Sequence, residues 1–310
     1  MHRIPVIIDC DPGLDDAIAL FMAFVSPELD IKAITTVAGN QTIDKVTRNA
    51  LQLVELAGQD ILVAKGARIP LFREQVIAAY VHGENGLKST VLPEPTKTAH
   101  PDAIKVIYDE AVKSNGELVL VAVGPLTNLA QAFMVHPDLK DMIKKIVIMG
   151  GGHTFGNITP AAEFNIFADP EAAKVVFEFG IEIVMVGLDV TMADGLTRTQ
   201  VTELFTHHND VTRVIEHILL DMVNGEGSAY KPWAYIHDAM ALMYLLYDDL
   251  LTGDYYHVDV ETKGLLTYGK TVVDYYHTHK KNKNAWVAFN VNSERFHQAL
   301  KERLRVYEKR

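Results

Sequence analysis

The chain has one cysteine, Cys10, among 310 residues, which excludes an intramolecular disulfide framework and a cysteine-built zinc site. Such scarcity suits a reducing compartment, so a cytoplasmic setting is expected. Basic residues are outnumbered, 29 Lys and Arg against 40 Asp and Glu, for a net charge of −11. A nucleic-acid backbone or an anionic membrane is a poor partner for that balance. No apolar run approaches the ~20 residues that cross a bilayer. The first residues, "MHRIPVIIDC", lack the apolar core of a secretory signal. Internal repeats and low-complexity linkers are missing too; Pro93 and Pro95 punctuate only briefly. The expected partner is a small neutral, cationic or metal-bound molecule.

What is present is an alternation of short apolar runs and helical patterns. Residues 4–8 (IPVII), 31–38, 118–124 (LVLVAVG), 145–152 (KIVIMGGG) and 182–190 (EIVMVGLDV) read as strands. Residues 15–25 and 43–57 read as helices, the second with Val46, Ala50, Leu53, Val54 and Ala57 on one face. Further helices are expected from Leu126, through "AAKVVFEFG", and at the C-terminal end, where Ser293 is the expected cap. Strands return near 255–276 and 285–291, around a basic, solvated loop "HTHKKNKN". Continuous apolar strands are covered on both faces. The expectation is an α/β fold: an open, mostly parallel, Rossmann-like sheet with helices on both faces. It forms one domain over 1–310, with its site at the carboxyl ends of the strands.

The densest chemistry lies in "IIDCDPGLDDAIAL". Asp9, Asp11, Asp15 and Asp16 fall within eight positions, just past the first buried strand. A helix N-terminus carries only about half a positive charge, whereas like charges ~4 Å apart repel by several kcal/mol in a cleft. A divalent cation offsets that repulsion. With oxygen donors only, Ca²⁺ or Mg²⁺ fits better than zinc or copper. The EF-hand pattern fails, because Leu14 and Leu20 stand where glycine and glutamate are required. Helix and turn capping is the plainer explanation for some of the four, Asp9 above all. A distant acid is needed to complete the shell, and "IHDAMAL" offers His237 and Asp238, although Asp238 could be a simple cap.

Six segments in order, "DCDPGLDDA", "AGNQT", "HGENG", "MGGG", "AEFNIFADPEAA" and "HDAMAL", with "GKTVVDYY" beyond them, resemble the inosine-uridine-preferring nucleoside hydrolase family. The resemblance covers essentially the whole chain. It implies one Ca²⁺ per chain, held by Asp11, Asp16, Asp238 and the backbone carbonyl of Val123, with a water and two ribose hydroxyls. It implies that Asp15, Asn40, Asn157, Glu163 and Asn165 grip the ribose beside Met149, and that His82 and His237 flank the base. It further implies a ribonucleoside substrate, a salvage role and a homodimer or homotetramer. Where many members carry proline and cysteine after the His-Asp pair, this chain has Ala239 and Met240. Tyr230, Trp233 and Tyr235 lie in the region that varies with base specificity, and could stack on a base or simply pack.

The chemistry is consistent on its own terms. Breaking an N-glycosidic bond develops positive charge on the ribose, which surrounding carboxylates stabilise. The metal would orient the diol and hold the attacking water, with Asp11 as its base. The base leaves poorly unless protonated, and His237 is the expected acid, with His82 as a base contact. Whether pyrimidines or purines are preferred stays open. Two other readings compete: a non-catalytic nucleoside-binding protein, and a Mg²⁺-dependent haloacid-dehalogenase-like phosphatase. Gly13 stands where the latter usually has Thr or Val.

Overall fold

The computed structural model describes residues 3–225 and 231–309. Its centre is an eight-stranded sheet: β1 (Ile4–Cys10), β2 (Leu29–Thr36), β3 (Val63–Lys65), β4 (Leu118–Ala122), β5 (Ile143–Met149), β6 (Ile183–Val186), β7 (Leu251–Tyr256) and β8 (Ala285–Val291). The spatial order is β3-β2-β1-β4-β5-β6-β8-β7. All neighbours are parallel except β8 and β7. Apolar strands such as LVLVA, buried at every position of β4, are what a sheet covered on both faces requires.

Chain order reverses direction at β1. The chain runs from β1 out to β2 and β3, then returns to lay β4 on the other side of β1. Asp9 lies opposite Thr35 of β2 and Ala122 of β4. A crevice opens beyond the carboxyl ends at such a switch point, so Asp11 and Val123 emerge at its two lips.

Helix Leu14–Phe24 follows β1 directly and is buried along its whole length. Apart from Asp15 and Asp16 in its first turn its residues are all apolar, which makes that burial favourable. Helix His237–Tyr244 packs against it. So does the C-terminal end, where the Tyr307 hydroxyl donates to the Phe21 carbonyl at 2.8 Å and Arg303 forks onto Glu28. No described helix is long and apolar enough to cross a membrane.

Three local expectations shift. Asn292 caps the C-terminal helix by accepting from the Arg295 N–H at 3.2 Å, and Ser293 is its first residue. The stretch after β6 turns at Gly187 into a short helix, Leu188–Thr191, where a strand to 190 was expected. Val258–Val260 and Thr271–Val273 form a separate antiparallel ribbon rather than extending the main sheet. Cys10 is buried, as expected, with its thiol 3.8 Å from the Thr35 carbonyl.

Candidate active site

The four aspartates do not act alike. Asp9 points back into the sheet. Its Oδ1 accepts from Asn128 at 2.7 Å and from the Thr35 hydroxyl, and burial pushes its pKa up to about 7. Asp16 partly bears out the capping explanation, since its oxygens accept from the Gly13 N–H at 3.0 Å and the Asp11 N–H at 3.1 Å. Asp11 sits against two glycines. A Cβ at Gly39 would overlap Asp11 Oδ2, and one at Gly124 would lie 2.7 Å from Oδ1. Asp11 Oδ2 accepts from the Asn40 N–H at 2.6 Å, while its Oδ1 is buried with no hydrogen-bond partner among the described residues.

Asp238 comes from the other end of the chain and does not cap its helix; Ile236 holds that position without a side-chain bond. One oxygen each from Asp15, Asp16 and Asp238 lies within 4.8 Å of the others, all three residues being buried. Burial, with mutual repulsion for Asp11, Asp15 and Asp238, raises these carboxyl pKa values, Asp15 to about 8. A buried oxygen-only set that resists ionisation unaided fits a hard divalent cation. The tight trio includes Asp15, which the resemblance assigns to ribose, and leaves Asp11 just outside it.

The facing wall comes from the turns after β4 and β5. Val123 offers its carbonyl at the lip, where Asn165 Nδ2 donates to it at 2.8 Å and to the Met149 carbonyl at 3.1 Å. Glu163 caps helix Phe164–Ala168, with Oε1 on the Asn165 N–H and Oε2 on the Ile166 and Gly151 N–H groups. Burial pushes its pKa up to about 7. Asn157 accepts from the Phe164 N–H at 2.9 Å. Asn40 commits its amide nitrogen to the Asp11 carbonyl and to Asp16, so its oxygen is the atom it can present to a ligand.

His82 and His237 both border the resulting cavity of about 210 Å³, along with Asp15, Asn40, Glu163 and Asp238. His82 Nδ1 accepts from the Leu14 N–H, and burial holds its pKa down to about 3. His237 is held down to about 4, again by burial; its Nδ1 lies 2.9 Å from the Thr191 hydroxyl and its ring stacks beside Tyr235. Trp233 and Tyr235 line the same cavity, and Tyr230 lies outside the described residues. Ala239 and Met240 are fully buried in the hydrophobic core.

All twelve sequence-selected site positions except Asp11 and Asp16 line the cavity; those two are bonded to each other and to Asn40 on its wall. Sequence reasoning missed Thr191, which sits 46 residues from its histidine in no motif. It also missed Lys88, Met192 and Met222, whose place on the cavity wall follows only from tertiary packing.

Residues 6–298 match the family described as inosine-uridine preferring nucleoside hydrolase. The chain is 44% identical to the pyrimidine-specific ribonucleoside hydrolase RihA of Salmonella gallinarum, over 98% of this chain and 99% of that one. The same holds at 44% for RihA of Escherichia coli strain K12. Among solved structures, a plant nucleoside hydrolase superposes with a TM-score of 0.89 at 35% identity, covering 97% of this chain and 99% of that one. The purine-preferring ribonucleoside hydrolase of Gardnerella vaginalis gives 0.93 at 30%, over 98% and 99%.

Proposed function

The chain belongs to the inosine-uridine preferring nucleoside hydrolase family and is a ribonucleoside hydrolase, and we propose that its substrates are pyrimidine ribonucleosides, cleaved to free base and ribose. The observation that carries the reaction type is a cavity lined by the buried carboxylates Asp15, Glu163 and Asp238 together with aromatic and apolar side chains. The pyrimidine preference is supported by the whole-length relatives named pyrimidine-specific.

In this reading Asp15, Asn40, Asn157, Glu163 and Asn165 hold the ribose, beside Met149. Glu163 and the aspartates face the positive charge that develops on the sugar as the bond breaks. Asp11, with an unpartnered buried oxygen, accepts the proton of the attacking water. His237, held by Thr191, gives a proton to the departing base, and His82 contacts it. Asp11, Asp15, Asp16, Asp238 and the Val123 carbonyl would hold one Ca²⁺, which when bound orients the ribose diol and supplies a positioned, acidified water. The whole chain acts as one domain, and exposed Phe72, Leu265 and Leu266 support a homodimer or homotetramer.

Release of ribose and base from uridine, cytidine, inosine and adenosine tests the proposal. The expected result is a kcat/KM for uridine and cytidine at least about tenfold above the purines. A higher value for inosine overturns the base preference. Binding without ribose release from any of the four overturns catalysis.

A further inference from the structure

We propose that Lys270 and Thr271 are positioning residues for the Glu163 carboxylate, acting through the turn 150–154. The proposal rests on the reading of Glu163 as a ribose-facing group.

Three backbone N–H groups meet Glu163, and two of them, Asn165 and Ile166, belong to the helix it caps. Gly151, at 2.9 Å, alone comes from elsewhere, so it sets how the carboxylate tilts across the cavity. Gly151 has φ +74, a left-handed conformation that suits glycine. A Cβ there would lie 2.7 Å from Thr271 Cγ2. Such a turn is not held by its own preference and depends on its neighbours.

Those neighbours come mostly from "GKTVVDYY". The Thr271 hydroxyl accepts from the Gly152 N–H at 2.9 Å and donates to the Gly152 carbonyl at 3.0 Å. Lys270 Nζ donates to the Gly152 carbonyl at 2.7 Å and the His153 carbonyl at 2.8 Å. Two carbonyls aimed at one point repel, and a multi-proton cation is the group that reconciles them. On the far side Asp189 accepts from the His153 N–H at 2.6 Å and the Thr154 N–H at 3.0 Å, and the Leu188 N–H closes on the Gly151 carbonyl at 2.9 Å. The turn is thus clamped between the ribbon and helix Leu188–Thr191, and its first N–H is aimed at Glu163.

A double-mutant cycle on the full-length, calcium-loaded enzyme with uridine decides the matter. Lys270→Met and Thr271→Val should each lower kcat on the order of 10- to 100-fold while KM moves less than about threefold. Thr271→Ser, which keeps the hydroxyl, should stay within about twofold of wild type. In a Glu163→Gln background the Lys270→Met and Thr271→Val losses should shrink to less than about twofold, whatever happens to melting temperature. Equal losses in both backgrounds, or a folded Lys270→Met or Thr271→Val enzyme with unchanged kcat, overturn the positioning role. Full activity of Glu163→Gln alone overturns the reading of Glu163, and the proposal with it.

Discussion

His82 Nδ1 accepts the first backbone N–H of the catalytic helix, that of Leu14, at 3.1 Å. A backbone amide can only donate, so the ring must keep Nδ1 bare and carry its proton on Nε2. Imidazolium would lose that bond and face the positive end of the helix. Burial works in the same direction, holding the pKa near 3 against an ordinary 6.5.

The pH consequence has a definite sign. Below 6.5 the unfolded chain binds a proton at His82 that the folded chain refuses, so stability falls as pH drops towards the folded value. At pH 5 this amounts to about 1–2 kcal/mol. His82→Asn keeps an acceptor near Leu14 and removes the titration. Urea unfolding at pH 7 and pH 5 should show a smaller loss in the variant, by about that amount. An identical loss in both proteins would mean that His82 titrates freely in the fold.

Metal dependence should be complete. Chelation followed by dialysis should abolish nucleoside hydrolysis, and Ca²⁺ should restore it. Because only the folded chain brings Asp16 and Asp238 together, calcium at about 100 times its Kd should add about 2.7 kcal/mol of stability, visible as a raised Tm. Asp238→Asn should weaken both effects. Full turnover in verified metal-free protein would refute the assignment.

The two ends of the site should separate by leaving group. Asp11→Asn should cripple hydrolysis of uridine and of p-nitrophenyl riboside alike, because both need the same water. His237→Ala should cost uridine about 10²–10⁴-fold in kcat but leave the nitrophenyl riboside, which departs as a stable anion, little changed. Thr191→Val, which removes the hydroxyl 2.9 Å from His237, should show the same substrate pattern at smaller amplitude. Equal slowing of both substrates by His237→Ala would reduce that histidine to a neighbour of Asp238.

Ribose recognition should be strict. Asp15 and Asn40 both line the cavity, and Asn40, its amide nitrogen committed to Asp11 and Asp16, has its side-chain oxygen left for a ligand hydroxyl. 2′-Deoxyuridine should therefore be worse than uridine by orders of magnitude in kcat/KM. Comparable values would show that these residues do something else.

Much of this was legible beforehand because it is local. A strand followed by Asp-rich turn and helix places Asp11, Asp15 and Asp16 together whatever the rest of the chain does. The α/β class followed from apolar runs that only a two-faced sheet can bury. The resemblance then linked Asp16 to Asp238 across 222 positions, which no periodicity could do. What holds Asp9 was not legible. Asp9 looks like its neighbours in the sequence, yet strand alternation turns it towards Asn128 and Thr35. Asn292 displaced Ser293 as cap because both residue types suit the position and only backbone geometry chooses. Thr191 lies in no motif, and Lys270, although it lies in "GKTVVDYY", has no role that the segment announces, since their partners are distant ring and backbone atoms.

The Tyr307 hydroxyl bound to the Phe21 carbonyl ties the last turn of the chain to the helix that carries Asp15 and Asp16. During synthesis those aspartates leave the ribosome before Asp238, which follows more than two hundred residues later, and Tyr307 emerges later still. At 5–20 residues per second the interval is about 15–60 s. Throughout it, helix Leu14–Phe24 lacks the cover of helix His237–Tyr244 and of Tyr307, and Asp15 and Asp16 lack Asp238. Removal of Tyr307 would therefore loosen the helix that carries two of the site's aspartates, although it lies 286 positions from its partner Phe21.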